Sequence, residues 1–129
     1  MKIKEKRKNE VKKTLSLKKT KEFQRVLNKG KWFGGTLISV YILPNRSLQN
    51  KIGLAVGKKV GKATKRNRTK RVIRAVYQSF ENNLKVGYNI LFVWKSKAHF
   101  EDLKYEIIQR DMKRAFDKAD LFEEVERYE

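Results

Sequence analysis

The sequence predicts an α+β fold: one domain with a central, mostly antiparallel sheet of about four strands and three helices, in the order α-β-β-β-α-β-α. Three observations predict it. The 129 residues, 40% of them hydrophobic, leave room for one modest core and not for two. Stretches with a 3.6-residue apolar period alternate with short runs rich in β-branched and aromatic residues. One strongly helical stretch lies between two strand-like runs, which calls for a crossover connection, and no internal repeat is present.

Residues 1–18 carry Lys2, Lys4, Lys6, Arg7, Lys8, Lys12, Lys13 and Lys18 with few apolar residues, and are expected to form a flexible basic tail that orders only on a phosphate backbone. The folded α+β domain is placed at residues 19–118. Over residues 20–28, Phe23, Val26 and Leu27 fall at i, i+3 and i+4 and Gly30 follows where a helix commonly stops, so a short first helix is expected. Residues 36–43 include Ile38, Val40, Tyr41 and Ile42 and are broken by Pro44-Asn45, as at a strand end; residues 51–57 read as the partner strand. Gly34-Gly35 interrupts the apolar stretch begun by Trp32-Phe33, leaving either two strands or one bulged strand there.

Residues 62–80 have strong helical periodicity, Gly87 resets the chain, and residues 88–94 are a short apolar run suited to a buried strand. The last helix is expected over residues 101–119. Glu101 and Asp102 lie near its positive end, and Leu103, Ile107, Ile108, Met112, Ala115 and Phe116 supply its core face. Its outer face, and a tail over residues 119–129, are read as acidic.

The formal charge is +19, from 33 Lys and Arg against 14 Asp and Glu, and a polyanionic partner explains why such self-repulsion is tolerated. Nucleic acid is the first candidate and an anionic membrane the second. No apolar run approaches the roughly 18 to 20 residues of a membrane span, and the start of the chain is too charged for a secretory signal, so a soluble, cytoplasmic protein is expected. Without cysteine there is no disulfide, thiolate metal site or cysteine nucleophile.

The informative block is Lys58, Lys59, Lys62, Lys65, Arg66, Arg68, Lys70, Arg71 and Arg74, nine cations in 17 positions without one acid. At 100° per residue, Val72, Ile73, Val76 and Phe80 gather on one side of the helix, and Arg66, Asn67, Lys70, Arg71 and Arg74 on the other. An ordinary charge run is solvated surface. Here the like charges at i, i+4 oppose the helix by a few tenths of a kcal/mol per pair, a cost an external anion relieves. A planar guanidinium donates two hydrogen bonds to neighbouring phosphate oxygens, and Asn67 adds a contact to sugar or base.

Within this block, Lys65-Arg66-Asn67-Arg68-Thr69-Lys70-Arg71-Val72-Ile73-Arg74 resembles the Arg-Asn-Arg signature helix of the bacterial ribonuclease P protein family. The stretch Gly53-Leu54-Ala55-Val56-Gly57-Lys58-Lys59-Val60-Gly61 is similar to the strand and turn leading into it. Glu22-Phe23-Gln24-Arg25-Val26-Leu27 with Gly30 resembles the family's first helix, and residues 90–95 its last strand. The likeness spans roughly residues 15–118.

The resemblance implies a protein subunit of the ribonuclease P holoenzyme, an endoribonuclease in which the RNA subunit cleaves with Mg2+ and the protein supplies no catalytic residue. Its implied partners are the ribonuclease P RNA and precursor tRNA, not DNA or membrane. The signature helix would contact RNA, and a cleft between the first helix and the sheet would receive the single-stranded 5′ leader, with Phe23, Arg25, Lys31, Trp32 and Tyr41 as its candidate lining. Leu27 stands where many members have a second aromatic. Aromatic rings beside a cationic groove suit unpaired bases, each stack contributing on the order of 1 to 3 kcal/mol. Periodicity alone equally allows Phe23 to be a core residue.

Other classes fit less well. His99 is the only histidine, beside Phe100 and ahead of an acidic helix start, so a surface or helix-entry role is expected instead of acid–base catalysis. The one acidic cluster, Asp117, Asp120, Glu123, Glu124, Glu126 and Glu129, is better explained as a solvated tail than as a metal site. Gly53, Gly57 and Gly61 lack the spacing of a phosphate-binding fingerprint and serve turns or close packing. The competing function is a ribosomal or structural RNA-binding protein; an intrinsic nuclease and a helix-turn-helix DNA-binding protein are weaker.

Overall fold

A computed structural model describes residues 14–124 of the chain. The elements are β1 (Thr14–Ser16), α1 (Thr20–Lys29), β2 (Lys31–Gly34), β3 (Ile38–Pro44), β4 (Asn50–Ala55), α2 (Ala63–Phe80), β5 (Tyr88–Trp94) and α3 (Tyr105–Lys118), with 3-10 turns at Lys58–Val60, Glu81–Asn83 and Phe100–Asp102.

The strands form one sheet in the order β1-β4-β5-β3-β2. It has five strands where about four were expected, and it is mixed: β2 with β3 and β3 with β5 are antiparallel, whereas β4 with β5 and β1 with β4 are parallel. The parallel pairing of β4 with β5 follows from α2, a crossover that returns the chain to the end of the sheet from which it left. The expected pairing of β3 with β4 does not occur, because β5 lies between them. Ile90, Leu91 and Phe92 are fully buried, so both faces of β5 must be covered, and that places it at the centre.

β1 was not anticipated; Thr14–Ser16 lies within the expected tail, yet it pairs along Asn50 to Ile52, and the Leu17 side chain is buried. The remaining tail expectation, residues 1–13, lies outside the described residues. The C-terminal boundary moves too. Leu121 is fully buried, Phe122 packs on the core, and Leu84 bridges Phe122, so residues 119–123 are docked structure. Residues 125–129 of the expected acidic tail lie outside the described residues. The outer face of α3 is mixed in charge, since Arg110, Lys113, Arg114 and Asp117 are all exposed there.

Helices cover both faces of the sheet. On one face α2 and α3 bury Ile73, Val76, Tyr77, Ile108, Met112 and Phe116 against Ile38, Val40, Ile42, Ile90 and Phe92. Rings meet edge to face there, Phe92 with Phe116 at 6.4 Å and Phe80 with Phe116 at 5.7 Å; a fully buried Phe contributes about 2–3 kcal/mol by area alone. On the other face α1 sets Val26 on Leu91, with Leu17, Phe23, Tyr41, Leu43 and Val93 around them. α1 ends at Gly30, whose N–H reaches the Val26 carbonyl at 2.8 Å. A Cβ on Gly30 would stand 2.5 Å from that same carbonyl, a close approach that its missing side chain permits.

A candidate RNA interface

α2 begins after a tight entry: β4 leads through Gly57 and the turn Lys58–Val60 to Gly61, whose φ of 135° is unstrained only for glycine. Val60 is buried under this turn while Lys58, Lys59 and Lys62 stay exposed around the positive end of the helix. Along α2, Thr69, Ile73, Val76 and Tyr77 are buried. Arg68, Arg71, Arg74 and Asn67 are exposed, and Arg66 and Lys70 are half-buried. Lys65 lays its ammonium over the Phe100 ring at 5.2 Å. Among the described residues, none of the nine cations has a carboxylate partner.

The opposite face of the sheet receives the aromatic candidates. Phe23 lies against Gly53, where a Cβ would stand 2.7 Å from the Phe23 Cζ. Gly53 is thus close packing, as its spacing implied, and it makes room for the ring. Tyr41 is half-buried on the same face, and Trp32, its cross-strand partner, is 58% exposed with its ring over Gly34.

Phe23 alone of these meets the cations, at the edge of β4. A hollow of about 130 Å³ is lined by Ser16, Leu17, Phe23, Ile52, Gly53, Leu54, Lys70 and Arg74. β1 covers β4 only as far as Ile52, so the hollow opens beside Gly53 and Leu54 and connects the Phe23 face with the cationic flank of α2. An aromatic ring and two cationic side chains around one opening suit a nucleotide strand that passes a base to the ring and its backbone to the cations.

Four leader candidates lie outside this hollow: Tyr41 and Trp32 stay on the Phe23 face but toward the β2 edge, and Lys31 and Arg25 go elsewhere. Lys31 pairs across from Ile42 and places its ammonium 5.8 Å from the Phe33 ring, on the face opposite Tyr41 and Trp32. Alternation along a four-residue strand decides this, and the resemblance could not. Arg25 sits on the other flank of α1, in a groove of about 650 Å³ with Glu22, Arg46, Lys51 and Asn89. Sequence reasoning missed Arg46, Lys51 and Asn89 there, and Ser16 and Leu17 at the hollow; the turn signal Pro44-Asn45 pointed only to the neighbourhood of Arg46.

In the same groove, burial opposes ionisation of Glu22, but the Lys51 hydrogen bond and charge, with the backbone amides of Lys19 and Lys18, outweigh it and hold the carboxyl below its usual range. His99 is exposed at the entry of the Phe100–Asp102 turn, where its N–H donates to Asp102 Oδ2 at 3.1 Å. Asp117 pairs with Lys113 at 3.1 Å and Asp120 with Lys85 at 3.3 Å. Among the described residues, no group of three or more His, Cys, Asp or Glu is placed to hold a metal ion.

Fold and site together define a small basic α+β protein whose cationic flank and aromatic hollow suit a ribose-phosphate strand. Sequence comparison agrees: residues 11–120 match the family model described as Ribonuclease P, and the chain belongs to that family. It is 36% identical over 115 residues to the ribonuclease P protein component of Caldanaerobacter subterraneus subsp. tengcongensis, covering 89% of this chain and 97% of that protein. It is 34% identical over 109 residues to that of Clostridioides difficile, covering 84% and 94%. The Staphylococcus aureus RNase P protein superposes with a TM-score of 0.73 at 26% identity, over 86% of this chain and 100% of that one. The Thermotoga maritima RNase P protein shares the fold, with a TM-score of 0.70 at 21% identity, over 80% and 96%.

Proposed function

We propose that this chain is the protein subunit of ribonuclease P, binding the catalytic RNA and the 5′ leader of precursor tRNA so that the RNA removes the leader and leaves the mature 5′ end. The observation that carries this is the hollow at the edge of β4, where Phe23 faces Lys70 and Arg74. A leader base stacks on the ring while Lys70 and Arg74 take backbone phosphates, and the exposed cations of α2 hold the RNA subunit.

Bond breaking is assigned to the RNA, with Mg2+ bound there; this chain's part is to bind and orient. No helix of the described residues is long and apolar enough to cross a membrane, and a cytoplasmic site of action is part of the proposal. α2 is flanked by strands rather than by a second short-turn helix, which disfavours the helix-turn-helix reading.

The test is reconstitution. The purified chain should bind precursor tRNA more tightly than mature tRNA and restore cleavage by its cognate ribonuclease P RNA at physiological magnesium. Equal affinity for the two tRNAs would defeat leader recognition. Cleavage by protein and magnesium without the RNA subunit would overturn the assignment of chemistry, and failure to restore cleavage would favour a structural RNA-binding role.

A further inference from the structure

α1 divides its face of the sheet in two. With Val26 and Gly30 toward the strands, Phe23 and Leu27 fall on one flank, and Glu22, Arg25 and Lys29 on the other. The Phe23 flank belongs to the hollow above. The opposite flank overlooks the 650 Å³ groove at the Pro44 end of the sheet. Lys51 and Glu22 pair there at 3.3 Å and cancel in charge, so Arg25 and Arg46, neither with a carboxylate partner among the described residues, set the groove's sign. Asn89 lines it at 8% exposure; its Oδ1 accepts from Asn45 Nδ2 at 2.8 Å, which leaves its own amide N–H groups to donate.

Arg46 stands in an unusual backbone. Its φ is 58°, a conformation that glycine and asparagine adopt with less strain. The turn is fixed on both sides: Ser47 N donates to Asn45 Oδ1 at 2.8 Å, and Asn45 Nδ2 donates to the Gln49 carbonyl at 3.2 Å. A turn that would be easier to build with another residue keeps an arginine at the rim of a groove that already holds Arg25. Two forked donors and an amide around one opening match phosphate and ribose oxygens.

We propose that this groove is a second phosphate-binding site, taking a phosphodiester of single-stranded RNA between Arg25 and Arg46 with Asn89 on an adjacent oxygen. The inference rests on the reading that the partner is RNA. Two RNAs offer this chemistry: a leader long enough to pass around α1 from the Phe23 side, and an unpaired segment of the ribonuclease P RNA.

The test uses the full chain carrying Arg25→Gln and Arg46→Asn together, since asparagine accepts the left-handed backbone and glutamine keeps the helix; an unchanged Tm checks the fold. Affinity is measured against salt for precursor tRNA with a long leader, for precursor tRNA with the leader cut short, and for ribonuclease P RNA alone. Arg110→Gln with Arg114→Gln, exposed on α3, serves as a charge-matched control. The slope of log affinity on log salt should fall by about 0.7 per lost single-strand contact, thus by about 1.4. A fall confined to the long leader identifies the leader as the source, and a fall with ribonuclease P RNA identifies that RNA. Unchanged slopes for all three RNAs, or an equal fall in the control, would overturn the proposal. If wild type itself fails to restore precursor cleavage, it is the underlying functional reading that has failed.

Discussion

The Asp111 carboxylate occupies the space that a side chain on Gly35 would need. From α3 it accepts hydrogen bonds from the amides of Thr36, Leu37 and Ile38 at 2.8, 2.8 and 3.0 Å, gathering the turn between β2 and β3 onto the helix. Leu37 and Ile38 are buried, so two of these amides have no access to water.

Removing that acceptor should therefore be expensive. Asp111→Ala is expected to destabilise the fold by about 3–5 kcal/mol, since buried N–H groups lose a charged partner. Gly35→Ala should lose about 2 kcal/mol or more through the collision with the carboxylate and the Ile38 carbonyl. Urea unfolding of both variants is the check, and unchanged midpoints would mean that the turn is held by something else.

The cations of α2 should separate into two groups. Arg66→Ala, Arg68→Ala and Arg71→Ala are each expected to flatten the salt dependence of RNA binding by about 0.9 for a duplex contact, with stability changed by less than about 0.5 kcal/mol. Lys70→Ala and Arg74→Ala, which line the hollow with Phe23, should also narrow the preference for precursor over mature tRNA. Affinities for both tRNAs across a salt series would show whether the groups differ.

Phe23 is half-buried, so its two possible roles are distinguishable. Phe23→Ala should reduce leader discrimination by about 1–3 kcal/mol and lower stability by less than the roughly 3–5 kcal/mol of a fully buried Phe. Gly53→Ala should weaken discrimination with the ring still present, because the new methyl displaces it. The ratio of Kd values for mature and precursor tRNA, set beside Tm, separates the effects.

Tyr77 predicts an alkaline limit to stability. Burial raises its pKa above the usual 10.0, and hydrogen bonding with Thr14 and Asn50 only partly offsets this. The unfolded chain ionises first as pH rises. Its contribution is full below about pH 10 and is lost as pH climbs toward the folded value. Tyr77→Phe should abolish that alkaline decline while removing the 2.8 Å bond to Thr14, worth about 1 kcal/mol. Unfolding midpoints at about pH 9 and about pH 11 give the comparison.

Much of the frame was legible because it depends on local pattern. β5 is the apolar run of residues 88–94 and α2 begins one residue after its expected start, since dense apolar residues impose their own period. β1 was not, because three residues in a lysine-rich stretch have no period, and only pairing with β4 makes them a strand. Asp111 escaped notice because an acid between Ile108 and Met112 looks like the wet side of a helix until the turn that it binds is in place. The site was half legible. The cations of α2 announce themselves by number, whereas the sorting of Lys31, Arg25 and Phe23 among three surfaces depends on strand alternation and on the turn of α1, neither of which follows from residue type.

The central place of β5 has a consequence for how the molecule comes into being. β1 with β4 and β2 with β3 are two separate ribbons, joined only where residues 88–94 slot between them. A nascent chain cannot close its sheet until that late seam has left the ribosome, and until then both ribbons present bare edges. Truncation ahead of Tyr88 should yield aggregating fragments rather than a smaller folded core.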